Sequence, residues 1–158
     1  MKISTYLAAA AMAFALPAGL SAQGRPAPAP QPLTYEMAQA AADAAEAFAR
    51  QNGWNMAIVV ADAEGTPIYM KRMTGAPKRI YDFAMGKMRT VIASGLSTKD
   101  YAAGVADGSV PEVPDAVSLE GGLPIMKDGE LIGAIATSGM RPNQDAEVSS
   151  AGLAAIPK

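Results

Sequence analysis

The chain contains no histidine and no cysteine. Those two absences exclude Ser-His-Asp and Cys-His nucleophilic machinery, His/Cys zinc sites, iron–sulfur clusters, disulfides and histidine-ligated haem. Acid–base chemistry must therefore use Asp, Glu, Lys or Tyr. A protein-bound metal must take oxygen ligands, or a haem iron must take Tyr or Met. Aromatic residues are scarce, with one Trp, three Phe and five Tyr. Positive charge is not in excess either: 13 basic and 15 acidic residues leave a net charge of −2, with no basic run. That balance gives no electrostatic footprint for nucleic acid. There is no internal repeat and no coiled-coil heptad pattern.

What is present begins with Lys2, an apolar run from Tyr6 to Leu16, and small residues up to Ala22. This pattern predicts a secretory signal peptide over residues 1–22, because the apolar run is shorter than the about 20 residues a membrane span needs. No cysteine follows it, which excludes a lipid anchor at that point. The mature chain is expected in the periplasm or outside the cell, with no membrane attachment. Residues 23–32 (QGRPAPAPQP) form a Pro/Ala linker, and residues 33–158 form one domain of ordinary size.

Within that domain the periodicity predicts a helix from Tyr35 to Asn52, capped by Thr34, with Met37, Ala41, Ala45 and Phe48 inward. A continuous apolar run, Met56 to Ala61, predicts a strand covered on both faces. A turn at Asp62–Gly65 leads to a second strand, Thr66 to Arg72, which Pro67 confines to a sheet edge or to starting at the proline. A second helix runs from Pro77 to Ser94, with Ile80, Phe83, Ala84, Met88 and Val91 on one side. Lys87 falls inside that apolar stripe, with Thr90 at its margin. A buried lysine must snorkel, pair with a carboxylate or contact a ligand, and desolvation suits it to acid, base or anion-binding work.

Ser97 opens a short helix to Ala106, and the irregular stretch 107–117 is a candidate lid or interface segment. Leu119 to Gly139 then carries Gly121-Gly122, two apolar runs and Asp128-Gly129. An Asp-Gly pair between apolar runs predicts a tight hairpin. A two-residue turn places Met126 opposite Leu131, Ile125 opposite Ile132 and Gly122 opposite Ile135. In the second hairpin strand Leu131, Gly133, Ile135 and Thr137 line one face, and Ile132, Ala134, Ala136 and Ser138 the other. Both faces are apolar, which predicts that part of the sheet meets another subunit. A last helix starts at Pro142, with Ala146, Ser149/Ser150, Leu153 and Ile156 inward.

These residues resemble the GlcG/HbpS-type haem-binding-like family. The matching pieces are Asp62 and its turn, Arg72-Met73-Thr74-Gly75-Ala76, the helical set Asp82, Ala84, Lys87 and Thr90, Gly121-Gly122-Leu123-Pro124-Ile125, Asp128-Gly129, Gly133-Ala134-Ile135, Ser138-Gly139, Gln144-Asp145 and Ala151-Gly152-Leu153. They cover nearly all of residues 33–156, in order. The resemblance implies one α/β (α+β) domain with a central antiparallel sheet, flanking helices and a profilin-like layout. It also implies homo-oligomers, often octamers, and haem or a related porphyrin as ligand. The chain departs from the family at Met88, where a small residue is common, and at Ala136, where a glycine is common. Lacking histidine, it would have to hold haem iron with Tyr81, Tyr101, Met85 or Met88, or without a strong axial ligand.

Two other readings compete with ligand binding. One is an enzyme for a small organic acid or aromatic compound, in which Lys87 and Arg72 hold an anion and Glu120 or Asp145 moves a proton. Thr90, Gly121, Gly122 and Ser138 complete that candidate site. The other is a structural accessory subunit whose glycines serve backbone geometry only.

Overall fold

The computed structural model describes residues 32–157; the expected signal peptide and all of the expected linker but Pro32 lie outside the described residues. The order of elements is α1 (Tyr35–Gln51), β1 (Ala57–Asp62), β2 (Pro67–Arg72), α2 (Lys78–Ser94), α3 (Thr98–Asp107), β3 (Gly122–Lys127), β4 (Glu130–Ser138) and α4 (Pro142–Leu153). The four strands form one antiparallel sheet in the order β2-β1-β4-β3. The domain is therefore mixed α+β, as the family resemblance implies.

Each local feature has a local cause. The Thr34 hydroxyl accepts from the Met37 amide and caps α1, while the Ser97 hydroxyl accepts from the Asp100 amide and caps α3. Asp62 closes the β1–β2 turn by accepting from the amides of Glu64 (3.1 Å) and Thr66 (2.8 Å). β2 is an edge strand, where the missing amide of Pro67 costs no ladder bond. Asp128 and Gly129 both have positive φ, as a two-residue hairpin turn of this kind requires.

β1 and β4 are central and are covered on both faces. Ile58, Val60 and Ile135 face α1 and α4, which contribute Ala38, Ala41, Ala42, Ala45, Ala49 and Val148. Ala57, Val59, Ala61, Ala134 and Ala136 face α2, which contributes Ala84, Met88 and Val91. β4 is thus buried within the single chain from Ile132 to Ser138. Its apolar faces do not call for a second subunit, contrary to the sequence expectation.

The hairpin register also differs from expectation. Met126 does pair with Leu131, but Ile125 pairs with Gly133 and Gly122 with Ala136. The slip arises at Ile132, an extra residue in β4 that forms a bulge and turns its side chain toward the α1/α4 core. Three helical faces are rotated from the expected ones. The α1 seam is wholly alanine, with Met37 and Phe48 flanking it. On α2, Phe83 is exposed rather than inward. On α4 the buried positions are Asp145, Val148, Ser149 and Gly152. A Cβ on Gly152 would lie 2.7 Å from the Ala41 carbonyl, so α4 can approach α1 only with glycine there.

The 108–117 stretch is pinned rather than loose. Buried Tyr101 accepts from the Val113 amide at 2.8 Å, and buried Thr90 accepts from the Val117 amide at 2.8 Å. The side chains of Val110 and Val117 seat on Gly104 and Gly86, where no Cβ would fit.

Candidate functional site

Lys87 and Asp145 come from α2 and α4, 58 positions apart, and meet at the end of β4. The Lys87 ammonium donates to Asp145 Oδ2 at 2.6 Å and to the Thr137 carbonyl at 3.0 Å. Both side chains are almost wholly buried, at 1% and 4% exposure. Asp145 Oδ1 accepts from the Met140 amide at 2.9 Å. Thr137 donates its hydroxyl to the Asp145 carbonyl (2.6 Å), and Ser149 donates to the Gly121 carbonyl (2.7 Å) while lying 3.1 Å from the Thr137 hydroxyl. No buried side-chain polar atom among the described residues lacks a partner.

Burial is the largest influence on both charges. It pushes the Lys87 ammonium below its usual range against the opposing pull of Asp145 and Glu120, and it raises the Asp145 carboxyl against the pull of Lys87. The pair is a fully satisfied network in a dry place, where each partner's charge opposes the pull of burial on the other.

The double glycine packs on this pair. Gly121 has φ +123°, and a Cβ there would lie 2.7 Å from Lys87 Nζ, 2.7 Å from Asp145 Cβ and 2.8 Å from the Thr137 carbonyl. A Cβ on Gly122 would meet Thr98 Cγ2 and Val91 Cγ2 at 2.7 and 2.8 Å. The backbone approach thus serves Lys87 itself.

The pair floors an open cleft of about 240 Å³, lined also by Arg79, Ile80, Phe83, Leu119, Ser138, Met140 and Pro142. A second groove of about 480 Å³ is lined by Met70, Arg72, Lys78 and Tyr81. Helical spacing divides α2 between the two: Lys78 and Tyr81 border one, Arg79, Phe83 and Lys87 the other.

Among the residues expected to share a site, Lys87, Asp145, Gly121 and Ser138 come together. Arg72 lines the other groove and donates to the Ala76 carbonyl at 2.9 Å. Glu120 pairs with Lys99 at 3.5 Å and acts on Lys87 only through its charge. Thr90 is buried, donates to the Gly86 carbonyl and holds Val117. Of the possible iron ligands, Tyr101 is buried and holds the 108–117 stretch. Met88 lies in the core between α2 and the sheet, and Met85 packs on that core. Tyr81 borders the second groove. Sequence reasoning missed Thr137, Ser149 and Arg79. The i,i+4 spacing of Asp145 and Ser149 could have revealed Ser149, since it places both on one face of α4.

A sheet covered on both faces, with one sealed ion pair flooring a cleft, defines a small α+β domain with a built polar interior. Residues 33–154 match the family described as haem degrading protein HbpS-like, and the chain belongs to that family. It is 37% identical over 109 residues to protein GlcG of Escherichia coli K12, covering 67% of this chain and 81% of that one. Its structure resembles a double mutant of Streptomyces reticuli HbpS at 27% identity and TM-score 0.76, covering 91% of this chain and all of that one. It likewise resembles a PduOC–haem complex at 26% identity and TM-score 0.74, covering 80% and 96%.

Proposed function

We propose that this chain is an exported, self-associating protein that binds haem or a related porphyrin in the groove beside α2. The family and the haem complex of a structural relative support the ligand class. One observation carries the location. Tyr81 borders an open groove of about 480 Å³ together with Arg72, Lys78 and exposed Met70. The residue types fit the group. A phenol oxygen can ligate haem iron, Arg and Lys can pair with propionate carboxylates, and the apolar surface of Met70 and Tyr81 can lie against the macrocycle. When bound, haem would supply the redox chemistry; the chain supplies the pocket, the cations and the phenol. Export rests on the apolar leader of residues 1–22, and self-association on the family resemblance.

Titrating the mature protein with haemin tests this reading. A saturable Soret band is expected, altered in shape by Tyr81→Phe and weakened by Arg72→Ala with Lys78→Ala. A titration indistinguishable from non-specific adsorption would sink it.

A further inference from the structure

The cleft over Lys87 and Asp145 has no part in the haem reading, yet its lining is chemically selective. Phe83, Leu119 and Met140 are exposed at 43%, 49% and 42%, and all three border this one cleft. Exposed apolar side chains gathered around a concave site mark a binding surface rather than scattered surface residues. Deeper in, Ser138 is 7% exposed and its hydroxyl makes no hydrogen bond to any described residue; since no sealed side-chain polar atom among them lacks a partner, that hydroxyl opens to the cleft. Its oxygen is therefore free to serve a ligand.

The charges lining the cleft do not cancel. Arg79 and Lys87 face it against Asp145 alone, and Glu120 nearby is matched by Lys99. Asp145 already spends one carboxylate oxygen on Lys87 and the other on the Met140 amide, so Arg79 is the uncommitted cation. At about 240 Å³ the space is smaller than the about 300–1,000 Å³ of drug-sized ligand pockets.

We propose that this cleft binds a small monocarboxylic acid with an apolar or aromatic body. The Arg79 guanidinium and the Ser138 hydroxyl take the carboxylate, and Phe83, Leu119 and Met140 grip the body. The Lys87–Asp145 pair is a fixed polar floor that holds Ser138 and the Gly139–Met140 corner in place. The ligand must be an anion because the lining has one surplus positive charge. It must carry an apolar body because more than half of the lining side chains are apolar.

Calorimetric titration of the mature protein with benzoate and hexanoate tests the site, with benzamide and acetate as the uncharged and the bodiless comparisons. Saturable one-to-one binding of benzoate or hexanoate is expected, with benzamide and acetate weaker by about tenfold or more. Arg79→Ala, Ser138→Ala and Phe83→Ala should each weaken benzoate by about tenfold, as loss of a charge-assisted bond or an apolar contact would. Lys71→Ala, paired with Asp43 and Glu46 of α1 and not in the lining of this cleft, should leave it unchanged. Equal binding of benzamide, or no binding of either acid, overturns the proposal. So does a Phe83→Ala variant that dissociates an oligomer without changing benzoate binding, because the apolar rim is then a contact between copies. Benzoate binding is scored whether or not haemin binds, so the two readings fail separately.

Discussion

Two of the lysines that meet carboxylates, Lys87 and Lys71, do so in opposite settings. Lys87 and Asp145 are sealed between α2, α4 and the end of β4, at 1% and 4% exposure. Lys71, on edge strand β2, contacts both Asp43 and Glu46 of α1, and the three are 22%, 51% and 19% exposed. In the sealed pair burial dominates and pushes both groups toward their neutral forms. At the surface, burial is still the largest single influence on Lys71, but the hydrogen bonds and charges of Asp43 and Glu46 together outweigh it and raise the lysine, while hydrogen bonds from Lys71 and Arg50 lower Glu46. Identical functional groups thus have opposite consequences, and the difference is water. The surface cluster adds little to stability that solvent would not also provide. The sealed pair adds little net energy when intact, but breaking it is costly.

The largest expected effect is therefore on the sealed side. Lys87→Met leaves the Asp145 carboxylate buried without a counter-charge, and Asp145→Asn leaves the ammonium so. Each should lower unfolding free energy by about 3–5 kcal/mol in urea denaturation. The double variant should lose less than the sum of the two, because no uncompensated charge remains. Strict additivity would show that the two groups do not act as a pair.

Next in size is Gly121→Ala. The positive φ and a Cβ 2.7 Å from Lys87 Nζ together demand either strain or a displaced lysine. A loss of about 2 kcal/mol or more is expected from denaturation. Gly129→Ala, at φ +84° with nothing within 4 Å, is the comparison that isolates strain from crowding. If the two substitutions cost the same, the contact with the ion pair contributes nothing.

A pH series on Asp145→Asn sharpens the comparison further. Without its carboxylate, Lys87 keeps a folded-state pKa below the unfolded value of 10.5, because burial is unopposed except by Glu120. Between those two values the unfolded chain holds more protons than the folded one. The variant should therefore gain stability as pH rises toward 10.5 and lose it as pH falls. A flat profile would mean that Lys87 has reached solvent.

Much of this was legible in the residues. The strand runs, the edge assignment from Pro67, the caps at Thr34 and Ser97 and the Asp128-Gly129 turn all rest on local chemistry. Lys87 stood out because a charge within an apolar helical stripe demands a partner. Asp145 was legible as a candidate, but its pairing was not, since 58 residues separate the two and only the tertiary fold brings them together. The bulge at Ile132 left no local mark, because it is set by which side chain the core can accept. The rotated face of α4 was hidden for a related reason. A helix that buries Asp, Ser and Gly does not look amphipathic, although Asp145 and Ser149 are the residues that reach the site. Arg72 resembles Lys87 in chemical kind, but its place at the end of edge strand β2 puts it in another groove.

The smallest effect belongs to the surface cluster. Lys71→Ala removes contacts to Asp43 and Glu46 and a cation 5.9 Å from the Tyr69 ring centroid. Exposed pairs of this sort contribute about 0–1 kcal/mol, and salt should erase most of it. The sign of its pH dependence is opposite to that of the buried lysine. The raised folded-state pKa of Lys71 means its contribution is present below 10.5 and is lost as pH rises through the folded value. The lowered pKa of Glu46 means its contribution is present above 4.5 and is lost as pH falls through the folded value. Wild type and Lys71→Ala should thus differ most at neutral pH and low salt, and converge at both extremes. A difference that persists in high salt would show that the lysine acts through its aliphatic stem packed on Tyr69, not through its charge.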